Sequence, residues 1–173
     1  MARGVILKYQ LRRIESFDLG SIWSLIEILK AEGAEISFTE LTAKDEVLNF
    51  IDNPAQLSYV AVTTDEPSHV LCLVRGRRDM TAEKSHAVFL TAATHPDARG
   101  TGLAAELTNY ALDQMKSEGV NIARIYVYSN NQASLNAVKK LGFVHGGTVL
   151  RHHMDPCTFE YVDDLIFHKL LDA

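Results

Sequence analysis

Two cysteines, Cys72 and Cys157, stand in a chain of 173 residues, too few for a disulfide framework. Reduced thiols and a cytoplasmic location are the expectation. Long apolar runs are missing too. No stretch approaches the roughly 20 residues of a membrane helix. The opening "MARGVILKYQLRR" holds only Val5-Ile6-Leu7 as an apolar run, short of the roughly 7–15 residues of a signal-peptide core. A basic excess is also lacking: 17 Lys and Arg face 22 Asp and Glu, for a net charge of −5. That argues against a nucleic-acid partner. It leaves room for an anionic ligand held by local groups. There is no Pro/Gly/Ser-rich linker, internal repeat or shift of composition to divide the chain.

What is present is an ordinary globular composition, 47% hydrophobic and 23% charged, expected to form one domain over residues 1–173. Ile6–Ile14 reads as a first strand. Ile22, Leu25, Ile26 and Leu29 keep helical spacing, so a helix runs over about Phe17–Glu32, stopped by Gly33. A second helix starts near Thr42, where "TAKD" offers Asp45 as a capping acid, and ends before Pro54. Leu57–Val62 and His69–Val74 flank "TDEPS" as a hairpin. His86–Thr94 is a nearly continuous apolar strand, followed by a helix to about Glu118, a strand at Ala123–Tyr128 and the helix "QASLNAVKKL". Strands over about Phe143–Leu150 and Phe159–Leu170 finish the chain. The fold class is therefore α/β (α+β), a mixed central sheet of about seven strands with about four helices.

The segment Thr94–Leu107, "THPDARGTGLAAEL", places Gly100 and Gly102 where a helix begins, although each glycine in a helical turn gives up about 1 kcal/mol against alanine. A strand turning sharply into a helix leaves the first N–H groups unpartnered at the positive end of the dipole. Bare glycines let phosphate oxygens reach those donors, and Arg99 adds a positive charge at the rim. The alternative is a tight turn that needs positive φ and holds nothing. A P-loop is excluded by the lack of Gly-x-x-x-x-Gly-Lys-Ser/Thr. A dinucleotide fold is excluded because the glycines lie past mid-chain, after a hairpin.

Arg99-Gly100-Thr101-Gly102-Leu103-Ala104 resembles Gln/Arg-x-x-Gly-x-Gly/Ala, the acetyl-CoA signature of the GNAT N-acetyltransferases. Asn131-x-x-Ser134 and Leu141-Gly142-Phe143 resemble the family's second hallmark. "YVDDLIFHKLL" is similar to the last strand of the branch containing ribosomal-protein and small-amine acetyltransferases. The resemblance spans roughly His69–Leu171. It implies a GNAT-like domain using acetyl-CoA as cosubstrate, with no metal. The acetyl group would pass to a primary amine, of a small molecule or a peptide, by direct attack in a ternary complex. It also implies that the fourth and fifth strands splay apart and that pantetheine pairs with the backbone of Ala92, Ala93 and Thr94, where an N–H would polarise the thioester carbonyl. Arg99, Gly100, Thr101, Gly102, Leu103 and Ala104 then cradle the pyrophosphate, and Asn131 contacts the pantetheine arm unless it serves only as a helix cap.

The chain departs from the family where chemistry is usual. The tyrosine of "LYEKLGF", which protonates the departing thiolate in many relatives, is replaced by Val138, and "FLTAAT" carries no glutamate base. Tyr126 and Tyr128, on one face of the fifth strand, are the substitutes considered, against a plain packing role. The acceptor pocket is expected near Phe38 and Glu40. His86 has a structural and a functional reading. "HHMDPC" (His152–Cys157) matches no zinc spacing and reads as a polar turn. "RGRRD" (Arg75–Asp79) reads as a basic loop or an aid to a phosphate. Two alternatives stay open: a CoA-binding regulatory domain with weak or no catalysis, and a protein N-terminal or lysine acetyltransferase. No membrane partner is expected; a homodimer is left open.

Overall fold

Ile22, Leu25, Ile26 and Leu29 fold as their spacing predicts, into the buried stripe of a helix over Leu19–Ala31, α1. Gly33 ends it at φ +71°. Its N–H donates to Lys30 O (2.9 Å) and that of Ala34 to Leu29 O (3.0 Å), the paired bonds of a glycine-stopped helix. The computed structural model describes residues 8–34, 36–65, 68–155 and 158–171. Around α1 lie β1 (Tyr9–Arg13), α2 (Leu48–Asp52), β2 (Gln56–Thr63), β3 (Val70–Arg78) and β4 (Ala87–Thr94). Then follow α3 (Leu103–Ser117), β5 (Ile122–Tyr128), α4 (Gln132–Lys140), β6 (Val144–Met154) and β7 (Tyr161–Leu170). Among the described residues there are thus seven strands and four α-helices, in the order read from the sequence.

The strands form one sheet in the order β1-β2-β3-β4-β5-β7-β6. It is mixed: β1 and β2 run antiparallel, β4 and β5 parallel, and β7 lies antiparallel to both β5 and β6. The parallel pair is the one joined through a helix, α3, as the crossover rule requires.

Local details depart from the sequence reading. The cap of the second helical segment is Glu46, not Asp45. Its carboxylate accepts from the N–H groups of Thr42 and Ala43, both at 2.8 Å, and these bonds hold its pKa below the usual carboxylate value. The first turn there, Lys44–Val47, is 3-10. β3 runs on through Arg75–Arg78, so most of "RGRRD" is strand rather than loop. β6 reaches Met154, which places His152 and His153 on a strand rather than in a turn. Ile6 and Leu7 of the expected first strand, Glu66 and Pro67 of the hairpin turn, and Pro156 and Cys157 lie outside the described residues.

Packing divides the chain into two compact units, Met1–Arg75 with Thr91–Ala111 and Gly76–Leu90 with Leu112–Ala173. The core of the first joins Ile22, Leu25, Ile26 and Leu29 to Phe38, Val47, Phe50, Val60, Leu73 and Ala93. In the second, Val88, Met115, Val120, Ala123, Val127, Leu135, Val138, Phe143 and Phe167 are buried. A Cβ on Gly76 would lie 2.5 Å from Met115 Cε, so that glycine is fixed by the close approach of α3.

One ion pair in the first unit is nearly dry. Asp18, 3% exposed, accepts from two nitrogens of Arg12 at 2.6 and 2.8 Å and from the Glu15 N–H at 2.9 Å. The pair raises the Arg12 pKa. Removing one partner of such a pair strands the other charge in low dielectric. Asp18→Ala is expected to cost about 3 kcal/mol in urea unfolding, and the double variant Arg12→Met/Asp18→Leu to recover most of it. A loss below about 0.5 kcal/mol in Asp18→Ala, the size of an ordinary surface change, would show that solvent takes over the guanidinium.

Candidate functional site

The turn from β4 into α3 is built by short-range bonds. His95 caps a 3-10 turn over Pro96–Ala98, with its Nδ1 accepting from the Asp97 N–H at 3.2 Å. Thr101 Oγ1 donates to Ala98 O at 2.7 Å and accepts weakly from the Leu103 N–H at 3.3 Å. Gly102 O accepts from the N–H groups of Ala105 and Glu106 (3.0 and 3.1 Å), which starts the helix. Gly100 and Gly102 take φ of +73° and +86°, left-handed values that a side chain resists. A Cβ built on either meets nothing within 4 Å. Backbone conformation, not crowding, therefore demands glycine, and the space in front of the turn is open. Among the described residues no acceptor meets the N–H groups of Gly102 and Ala104. Two open donors at the positive end of a 15-residue helix are of the kind that suits an anion.

Arg99 is at the rim but not unpaired: it holds Glu32, just past the end of α1, at 2.6 and 3.4 Å. Both side chains are substantially exposed, so the pair is weak and exchangeable. On the strand side, the β4–β5 ladder covers Ala87–Leu90 against Ile122–Ile125 and goes no further. Thr91, Ala92, Ala93 and Thr94 complete the strand, with no β5 ladder pair among the described residues. Beside it Cys72 is buried, and burial pushes its thiol up to about 11. A protonated, buried thiol is a poor nucleophile.

In the second unit Asn131 caps α4, its Oδ1 accepting from the Ser134 N–H at 3.0 Å. Val138 is 4% exposed and its carbonyl receives the Phe143 N–H at the glycine-stopped end of α4. The family's tyrosine position is thus occupied by a core residue. The Tyr126 ring stacks on Phe89 at 5.3 Å and is 46% exposed. Tyr128 stacks on His153 at 5.3 Å. His86 acts through its carbonyl, which receives the Asn121 and Ile122 N–H groups.

The acceptor expectation is corrected at one position. Phe38 has no exposed surface; it packs edge-on to Phe50 beneath the Arg75 guanidinium, 4.9 Å from its ring centre. It is core and offers a ligand nothing to touch. Glu40 is exposed. Arg75 is likewise engaged with the two rings and Ser37, and Arg78 donates to Glu118 O at 2.8 Å. Sequence reading missed Asp164, the second acid of "YVDD". It is 6% exposed on β7, and burial raises its pKa against a smaller opposing pull from His152. The available signal was its alternation with Val162 on a strand, which turns it to a covered face.

Comparison with known proteins follows this geometry. Residues 22–143 match the acetyltransferase (GNAT) family. The chain belongs to that family. Comparison with curated proteins gives no match. A GNAT-family acetyltransferase from Streptococcus pneumoniae superposes with a TM-score of 0.80 at 18% identity, over 94% of this chain and 99% of that one. The Salmonella typhimurium protein yncA, solved with its cofactor acetyl-CoA, gives 0.81 at 17% identity, over 95% and 94%. A ribosomal-protein-alanine N-acetyltransferase from Brucella melitensis gives 0.78 at 16%, over 93% and 99%. Among the described residues no helix is long and apolar enough to cross a membrane.

Asp164 makes a stability prediction. Its native pKa lies above the unfolded value, so between the two the native state binds more protons and stability falls as pH rises through that window. Above the native pKa the cost of the buried charge is fully present. Asp164→Asn, which keeps the shape and removes the charge, should melt above the wild type at pH 7. The gap should close as pH drops below about 4, where the unfolded carboxyl also protonates. An Asn variant that melts lower at pH 7 would mean that the carboxylate is stabilised where it sits.

Proposed function

We infer that the whole chain, residues 1–173, acts as one acetyl-CoA-dependent N-acetyltransferase domain, moving an acetyl group to a primary amine. The observation that carries this is the start of α3: two positive-φ glycines, open space before them, and N–H donors on Gly102 and Ala104 without acceptors. These fit a pyrophosphate. Arg99, Gly100, Thr101, Gly102, Leu103 and Ala104 would hold it, with Arg99 exchanging Glu32 for a phosphate. The backbone of Ala92, Ala93 and Thr94 would hold pantetheine, and Asn131, the cap of α4, is a further candidate contact for the cosubstrate. Acetyl-CoA supplies the activated acyl group as a thioester. A strand N–H in Ala92–Thr94 would stabilise the charge that develops on its carbonyl oxygen.

Transfer is direct. Cys72 is buried and protonated, so it cannot carry an acyl group, and a CoA thiolate is a competent leaving group. Protonating that thiolate is worth about 10²–10⁴-fold, and with Val138 in the core Tyr126 and Tyr128 are the hydroxyls we put forward for it. The acceptor is a small amine or a peptide amine, the latter in line with the Brucella neighbour's printed activity. A count of two cysteines and an acidic net charge are in keeping with a cytoplasmic enzyme. The buried Val138 favours a second reading, a CoA-binding domain without turnover.

Acetyl-CoA at about 100 times Kd should raise unfolding free energy by about 2.7 kcal/mol, with NAD and ATP doing far less. Gly102→Val, folded by circular dichroism, should bind no acetyl-CoA in calorimetry, because a branched side chain at positive φ distorts the turn and fills the open space. Thiol release should follow on adding spermidine or a peptide with an N-terminal alanine. Equal melting shifts for the three nucleotides, or normal affinity in Gly102→Val, would overturn the assignment. Binding without thiol release over an amine panel would favour the second reading.

A further inference from the structure

The hairpin of β6 and β7, in the second unit, meets solvent with apolar side chains. β6 is the last strand of the sheet, and of its 11 residues only Gly147 and His153 are not exposed. Leu150 is 73% and Met154 48% exposed; across the turn Phe159 is 72% and Tyr161 61% exposed. Apolar residues scattered singly on a surface are ordinary, whereas a group of them marks an interaction site. These form a group. Met154 and Tyr161 are directly opposed in the ladder, so they share a face. The Arg151 guanidinium lies 5.3 Å from the Tyr161 ring centre. Leu150 precedes Arg151, and Phe159 stands two residues before Tyr161.

The backbone here is strained without a packing return. Among the described residues, the non-glycine residues with positive φ are Arg151 (+52°) and Phe159 (+58°). Such a conformation costs about 1–3 kcal/mol and clusters where function requires it. Short bonds hold both residues: the Arg151 N–H donates to Asp163 Oδ1 at 2.8 Å and the Phe159 N–H to Asp155 O at 2.9 Å. Neither side chain is buried as a result.

The edge of β6 is a poor template for another strand. Its register with β7 shifts between His145 and Gly147 and again between Val149 and His153, and bulges blunt an edge against strand addition. A partner is left the face. That face is flanked by both signs of charge, Arg151 on β6 and Glu160 just before β7, each exposed. We propose that this chain pairs with a second copy of itself about a two-fold axis, hairpin face on hairpin face. Leu150, Met154, Phe159 and Tyr161 form the centre, and Arg151 of one copy meets Glu160 of the other at the rim. A surface that carries both charges can complement itself in this way. At about 200 Å² for a whole large side chain, the exposed shares of the four apolar residues come to roughly 500 Å² a copy. The pair then buries about 1,000 Å² in all, where specific interfaces begin. The pairing does not depend on the transferase reading.

An interface of that size is concentration-dependent, so the test is sedimentation velocity of the full chain up to about 100 µM. The wild type should sediment as a dimer at the top of that range. Leu150→Glu and Phe159→Glu, exposed changes that should leave the circular dichroism unaltered, should each weaken association about 30-fold or more. Met80→Glu, at a position 59% exposed outside the hairpin, should leave it intact. Arg151→Glu should dissociate the pair, and Arg151→Glu/Glu160→Arg should restore it, because the swap rebuilds both rim contacts. A wild type that stays monomeric at about 100 µM would overturn the proposal and leave the patch to a partner of other chemistry. So would a dimer that persists in Leu150→Glu and Phe159→Glu, one lost equally in Met80→Glu, or a charge swap that fails to restore it.

Discussion

The account depends on how one helix begins. A helix always leaves its first N–H groups unpaired, and most proteins cover them with a capping side chain. At α3 the cap position is Gly102, which has no side chain to offer, and Thr101 reaches only the Leu103 N–H at 3.3 Å. The donors of Gly102 and Ala104 are therefore left facing open space. Positive φ at Gly100 and Gly102 is the local cost of aiming them there. Side chains close two other turns: Glu46 accepts from Thr42 and Ala43 at the 3-10 turn before α2, and Asn131 accepts from Ser134 at α4. At α3 the glycines leave the first turn open instead.

Much of this was legible in the sequence because the signals were local. Helical spacing in α1, the glycine stops at Gly33 and Gly142, the glycine pair ahead of Leu103 and the cap at Asn131 all depend on residues within a few positions of each other. Where the reading slipped, the deciding contact lay elsewhere or the margin was one residue. Glu46 took the cap from Asp45 because the turn starts one residue later, with Ala43 rather than Thr42 as its cap, which moves the box by one position. Arg75 looked like a solvated charge, yet Phe38 and Phe50 cover it. Phe38 looked like a pocket wall because its burial comes from a core of residues distant in sequence, Ile22 and Leu73 among them. His152 and His153 read as a turn because the bulge that keeps them on β6 needs β7 to reveal it.

Asp164 was passed over for a different reason. Two adjacent acids near the end of a chain resemble a solvated strand edge, and the alternation with Val162 is a faint signal by itself. Pairing separates them: Asp163 accepts from Arg151 and anchors the bulge, whereas Asp164 turns to the covered face and keeps an open oxygen.

The central claim is that the open donors of α3 bind the diphosphate of acetyl-CoA. Backbone amide NMR during titration tests it most directly, because the N–H groups themselves report. The account requires the amides of Gly100, Gly102 and Ala104 to shift strongly with acetyl-CoA, and to stay still when a short acetyl thioester without phosphates is added. Saturable acetyl-CoA binding that leaves those three amides unmoved would contradict it.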